Sequence, residues 1–363
     1  MNVVYWLFII LFLLLFGVLV LKYLSGSSYQ ILEQIKEKPE NFSLVVKKNG
    51  ENFISHNADK IMSLASTVKV IVTIAYTRQV EQEMINPTES IPLVELEKYH
   101  FPTTDGGAHQ EWLDKLVGTD KSVPLESVVR GMIQFSSNAN TEYLLERLGI
   151  PYINQMLTEF NLSSHDPLFY ISPSALLIPQ YIEREYPSLN DKESIQLQIE
   201  SMSIEEYRKT AERIHKLLNS DETVFDIKSV NNSMSLQKCW SDKLPHASAN
   251  DYANLMSHIN RGKGFSEKER NRLYSLLKRD WLLTDRIARI GGKGGSTAFV
   301  LTFALYLEDR EKNLVEIVFF SNQSDPTVAR LVEKSFRNFI KQMIDKPSFS
   351  QSCKKALHSS HLG

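Results

Sequence analysis

Two hairpin patterns that enclose a long helical stretch constrain this chain more than any other feature of its sequence. FSLVVKK and ENFISHN, residues 42–57, flank Asn49-Gly50, the dipeptide that best tolerates the positive φ angles of a tight hairpin turn. FVLTFALYL and LVEIVFFSN, residues 299–322, are rich in β-branched and aromatic residues and are separated by the charged stretch EDREKN. Between the hairpins the period becomes helical, as in STVKVIVTIAYTRQVEQ and in PLESVVRGMIQF, where Ser122 is expected to cap the helix with Pro124 in its first turn. Ser203 with Glu206 and Ser266 with Glu269 each fit a capping box, the first ahead of a stripe of Ile204, Tyr207, Ala211, Ile214 and Leu217. After the last strand, Val328, Leu331, Val332, Phe336, Phe339, Ile340 and Met343 trace one helix face. The implied fold class is α/β (α+β). One antiparallel sheet is assembled from both ends of the domain and flanked by terminal helices, with an all-helical lobe in the middle. A cleft between two such lobes is a natural place for a site.

Outside that domain, residues 29–345, two segments stand apart. Val3 to Leu21 is an uncharged apolar run long enough to cross a bilayer, followed by Lys22, Tyr23 and a Ser-Gly-rich linker, so residues 1–28 read as a single-pass membrane anchor with linker. The alternative is a cleaved signal sequence, against which stand the missing basic residue before the run and the missing small-residue cleavage site after it. Lys22 and the N-terminal amine argue for opposite orientations. Residues 346–363 are polar and are expected to be disordered. Residues 183–243, highly charged and without motifs, read as a helical insertion or lid. A net charge of −2 gives no field for recruiting nucleic acid, and two cysteines in unlike contexts suggest neither a disulfide framework nor a metal cluster. No cofactor and no metal are implied.

Three short elements carry chemistry. Ser66 and Lys69 lie three apart at the start of an apolar helix, where a lysine whose pKa is depressed by burial could take the proton of a serine nucleophile. S-x-x-K occurs four times, at Ser66, Ser235, Ser275 and Ser352, but only Ser66 opens an apolar helix just after a hairpin. Ser136-Ser137-Asn138 is a polar knot between two apolar helical segments. Either Ser136 or Asn138 caps the helix that follows, or the hydroxyl and the carboxamide face a substrate. Lys293-Gly294-Gly295-Ser296 precedes a strand, in a glycine-rich run that is either a turn or bulge, or backbone left open to close approach by a ligand.

In that order, Ser66-x-x-Lys69, Ser136-x-Asn138 and Lys293-x-Gly295 resemble the signature elements of the penicillin-recognising serine enzymes, most closely the class A β-lactamases and their D,D-peptidase relatives, over roughly residues 42–344. The resemblance implies a small-molecule or peptide amide substrate, acylation of Ser66, activation by Lys69, proton relay by Ser136 and amide binding by Asn138. It implies positive potential from Lys293, an oxyanion hole from the N–H groups of Ser66 and Ser296, and a catalytic domain outside the cytoplasmic membrane. Two departures stand out. Gly294 replaces the usual hydroxyl residue, which shifts carboxylate binding to Ser296, Thr297, Arg286 or Arg289. The segment after the second element offers Asp166 but no glutamate for activating the deacylating water. A catalytically idle, membrane-anchored binding module of the same fold is the competing expectation.

Overall fold

The computed structural model describes residues 28–359 except 103, 117–120, 190, 221–224, 227–229 and 231–232. Nine strands are present among these: β1 Phe42–Lys48, β2 Glu51–His56, β3 Ile61–Ser63, β4 Ser90–Pro92, β5 Ser122–Pro124, β6 His246–Ser248, β7 Ile287–Ser296, β8 Val300–Asp309 and β9 Leu314–Asn322. Five of them form one antiparallel sheet in the order β2-β1-β9-β8-β7, so both ends of the domain do contribute to it and β7 is an edge. Asn49 and Gly50 turn β1 into β2 with φ of 52° and 95°, as the dipeptide predicts. The β8–β9 turn is closed by Asp309, whose carboxylate accepts from the N–H groups of Glu311 and Asn313 at 2.9 and 2.8 Å.

The helix Lys69–Glu81 runs through the middle of the helical lobe, and every residue from Lys69 to Thr77 is buried. A helix apolar on all sides has no solvent face to offer, so it must be enclosed by neighbours. Its hydroxyls are satisfied internally, Thr73 Oγ1 donating to Lys69 O and Thr77 Oγ1 to Thr73 O. Both capping boxes form, with Ser203 and Ser266 each accepting from the N–H three residues on. Ser122 does not cap a helix. Residues Ser122–Pro124 pair instead with β4, and the helix begins at Leu125. Residues 183–243 carry the helices Lys192–Ser201, Ile204–Leu218 and Met234–Lys243.

The described residues divide into two compact units, one within 43–322 and a second made of 28–42 with 323–359. In the second unit the expected disordered tail is corrected: Pro347–Ser359 is a helix. Phe349, Cys353 and Leu357 recur every four residues and are buried, a stripe hidden by the polar residues around it. The Phe349 ring meets Tyr29 and Phe339 edge-on, with centroids at 5.4 and 5.8 Å. Among the described residues no helix is long and apolar enough to cross a membrane. The run Val3 to Leu21 lies outside the described residues.

Candidate active site

Strand β3 delivers Ser66 through a tight turn. Ala65 takes a left-handed φ of 43°, a conformation that a residue with a Cβ adopts only under constraint. The constraint is visible: Leu64 O accepts from Thr67 N at 3.0 Å and from Thr302 Oγ1 at 2.7 Å, and Leu64 N donates to Pro245 O at 3.0 Å. Ser66 therefore stands, half-buried, in the 3₁₀ turn Ala65–Val68 that leads into the Lys69–Glu81 helix.

Lys69 is fully buried, and desolvation pulls its pKa from 10.5 down to about 7, partly opposed by the negative charge of Asp105. Its ammonium donates to Ser136 O at 2.8 Å, to Asn138 Oδ1 at 3.0 Å and to Ser136 Oγ at 3.3 Å. None of these three bonds goes to Ser66. The same Ser136 hydroxyl receives Lys293 Nζ at 3.0 Å, and Lys293 also donates to Gly294 O at 2.7 Å. Burial first, then repulsion from Lys69 and Arg279, drives the Lys293 pKa well below 10.5. Two buried amines on one hydroxyl form a short chain, Lys69–Ser136–Lys293, along which a proton can move without a carrier from solvent.

The polar knot resolves into one structural and two presented residues. The helix Asn138–Leu148 is capped by Ser137, whose Oγ accepts from Asn140 N at 3.1 Å and meets His109 Nδ1 at 2.8 Å. With the cap supplied by Ser137, Ser136 and Asn138 are left to face the two lysines. The preceding segment Gly131–Phe135 is a π-helical turn that ends at Ser136 with φ of 77°, and such turns recur at functional sites because they re-aim a side chain.

The glycine run is neither a turn nor a bulge but regular strand within β7, in continuous register with β8 from Arg289 to Ser296. A Cβ on Gly295 would stand 2.3 Å from Ser66 N and 2.8 Å from Thr67 N, so β7 lies directly against the turn that carries Ser66. The third element thus touches the first. Ser296 is exposed at the end of β7. The Thr297 hydroxyl is committed to the β7–β8 turn, accepting from Phe299 N and Val300 N at 3.1 Å each and from Ser241 Oγ at 2.8 Å.

Two charged groups of this site carry no motif. Asp105 accepts from Gly107 N and His109 N at 3.1 Å each and from Asn138 N at 3.4 Å, which sets a negative charge near Lys69. Arg279 donates to Ile133 O at 2.7 Å, and its charge acts on Lys293. Arg289 is paired with Glu308 at 2.9 Å and stacked 3.7 Å over the Tyr274 ring. The carboxylates that follow the second element have partners of their own. Asp166 holds His246 N at 3.0 Å and faces Arg208 at 3.5 Å, and the fully buried Glu142 holds Ser174 and His215 through Oε1 alone, its Oε2 having no hydrogen-bond partner among the described residues.

Among solved structures the chain is similar to the chromosome-encoded β-lactamase of Vibrio parahaemolyticus, with a TM-score of 0.54 and 11% identity over 88% of this chain and 100% of that one. It is similar to a class A β-lactamase from Bacteroides cellulosilyticus, with a TM-score of 0.50 and 14% identity over 92% and 99% of the two chains. A third likeness is to a point mutant of PBP-A in its acyl-enzyme complex with penicillin G, with a TM-score of 0.50 and 16% identity over 88% and 96%. At such identities the likeness is one of fold. A search of curated protein sequences returns no significant match. A sequence model of the β-lactamase enzyme family, however, matches residues 28–331, most of the chain and a span within which the three elements lie. This chain belongs to the β-lactamase enzyme family.

Proposed function

We propose that the chain is a serine acyl-transfer enzyme that opens an amide at Ser66, acting on β-lactams or on peptidoglycan-type peptides ending in D-Ala-D-Ala. The observation that carries this reading is the fully buried Lys69, held near pKa 7 one turn from Ser66. Burying an amine is costly, and a half-neutral lysine beside a serine is what a base at neutral pH requires. Neutral Lys69 takes the Ser66 proton as Oγ attacks the carbonyl carbon. The developing oxyanion is met by the N–H groups of Ser66 and Ser296, which adjoin because Gly295 lies against Ser66 N. Ser136 passes the proton on to the leaving nitrogen. Asn138 Oδ1 already accepts from Lys69 Nζ, so its Nδ2 is the group available to the acyl amide oxygen. Lys293 and Arg279 supply the field for a carboxylate on the leaving side.

Release of the acyl group is slow on this reading, because Asp166, the carboxylate that follows the second element, is held by His246 N and Arg208. Labelling with a fluorescent penicillin tests acylation, and nitrocefin turnover tests release. Stoichiometric label on wild type, its loss in Ser66→Ala and slow turnover are expected; label undiminished in Ser66→Ala sinks the reading. A catalytically idle binding module is favoured by the three Lys69 bonds, none of which goes to Ser66, and turnover that depends on both residues excludes it. We further place the domain outside the cytoplasmic membrane, tethered by the run Val3 to Leu21, which a protease-accessibility assay on intact cells tests.

A further inference from the structure

The inserted stretch from residue 183 to 243 carries none of the three motif elements, yet its last helix, Met234–Lys243, reaches both sides of the gap at Ser66. Ser241 is fully buried. Its Oγ donates to Thr297 Oγ1 at 2.8 Å, and its carbonyl accepts from Ser63 Oγ at 3.0 Å. Ser63 ends β3, three residues before Ser66, and Thr297 directly follows Ser296 at the end of β7. One side chain and its own carbonyl therefore span the strand that delivers the serine and the turn that ends the strand opposite. Between these two structures lies the contact of Gly295 with Ser66 N, where a Cβ would come within 2.3 Å.

The helix that carries Ser241 is itself anchored away from the gap. Trp240 Nε1 donates to Ile171 O at 3.0 Å, and Lys243 Nζ donates to Met202 O at 2.6 Å. A hydroxyl fixed by a rigid element on one side can hold a mobile turn on the other, which is how supporting residues keep a reactive geometry within a fraction of an ångström.

We propose that Ser241 is a positioning residue for acylation: through Thr297 it fixes the end of β7, and with it the Ser296 N–H, against the turn that carries Ser66. This rests on the reading of Ser66 as nucleophile. An oxyanion donor acts only on the charge that develops in the transition state, so a small displacement of β7 slows the chemical step and leaves ground-state binding alone. Removing the Ser241 hydroxyl leaves Thr297 Oγ1 with its two backbone donors, Phe299 N and Val300 N, so the turn stays closed and loses only its lateral tether.

The test is adduct formation with a fluorescent penicillin, resolved into a dissociation constant and a rate constant, on wild type, Ser241→Ala, Thr297→Val, their double variant and Thr297→Ser, with Ser66→Ala as the blank. Ser241→Ala and Thr297→Val are each expected to slow adduct formation roughly 10- to 100-fold with the dissociation constant unchanged. The double variant is expected to be no slower than Thr297→Val, because both substitutions remove the Ser241–Thr297 hydrogen bond and Thr297→Val removes the acceptor of Phe299 N and Val300 N as well. Thr297→Ser, which keeps the acceptor, is expected to recover most of the rate that Thr297→Val loses. Should Ser241→Ala fail to fold, Ser241→Cys, which nearly keeps the volume but donates only weakly to Thr297 Oγ1, is expected to show the same slowing and decides the matter, since the Thr297 variants also touch the turn's bonds to Phe299 N and Val300 N. Unchanged rates, losses that multiply in the double variant, or a loss confined to the dissociation constant overturn the proposal. A wild type that forms no adduct overturns the reading of Ser66 and the proposal with it, whereas a labelled wild type matched by its variants overturns the proposal alone.

Discussion

Gly295→Ala is the smallest change that separates the site's geometry from its chemistry, since it adds one methyl group and removes nothing that reacts. The added carbon would stand 2.3 Å from Ser66 N, 2.8 Å from Thr67 N and 3.0 Å from Leu64 O, whereas ordinary contacts begin near 3.4 Å. The shortfall against Ser66 N is 3.4 − 2.3 = 1.1 Å, and all three neighbours are backbone atoms that no rotamer change can move. The strand or the turn must therefore shift by about an ångström, at about 1–3 kcal/mol of stability. A displacement of that size at reacting groups costs roughly 100-fold in rate. Gly294→Ala on the same strand is the control: its Cβ would meet the Phe303 ring at 2.4 Å, but that ring is half-buried and can swing away. The assay is the rate of adduct formation with a fluorescent penicillin, alongside thermal unfolding of each variant. Gly295→Ala folded and as fast as wild type would refute the packing of β7 against Ser66, as would an equal rate loss in Gly294→Ala.

Three further outcomes are expected. Lys69 titrates near 7 in the folded protein and near 10.5 unfolded, so its neutral form grows as pH rises through 7, and adduct formation is expected to rise across that range and then level; a flat profile from about pH 5.5 to 8.5 would contradict this. Between those two pKa values the unfolded chain binds the extra proton, so this group makes stability increase with pH by up to about 1.4 kcal/mol per unit, which urea unfolding at stepped pH measures. Glu142→Ala leaves buried Ser174 and His215 without their partner and is expected to cost about 3–5 kcal/mol in urea unfolding. Phe349→Ala empties the stripe of the Pro347–Ser359 helix, at about 3–5 kcal/mol, and hydrogen exchange in that helix is expected to speed up while exchange in the Lys69–Glu81 helix does not.

What could be read in the sequence was what local chemistry dictates. Asn49-Gly50 tolerates positive φ wherever it stands, and Ser203 with Glu206 satisfies two helix-end donors through a spacing visible in one dimension. The three motif elements were legible for a related reason: each packs its reacting groups into three or four consecutive residues. The role of Gly295 is not legible in the sequence, because its reason, the backbone of Leu64, Ser66 and Thr67, lies more than two hundred residues away. Asp105 and Arg279 could not be found, since a counter-charge acts through space and needs no spacing pattern. The cap of the Asn138–Leu148 helix was misplaced by one residue, because Ser136, Ser137 and Asn138 have equal intrinsic aptitude and only the left-handed Ser136 decides among them. The last helix is not legible because the three residues of its buried stripe are diluted by serine and lysine, and it gains stability from Tyr29 and Phe339, not from its own composition.

Acylation of Ser66 is the step on which every proposed role in the site depends. Intact-mass spectrometry of the protein after incubation with benzylpenicillin, followed by proteolysis and mapping of the modified peptide, measures this without relying on turnover. One equivalent of added penicillin mass, located on the peptide that contains Ser66, persisting over minutes and absent from Ser66→Ala, is the predicted result. An unmodified wild type, or an adduct that maps to another residue and survives in Ser66→Ala, would contradict it.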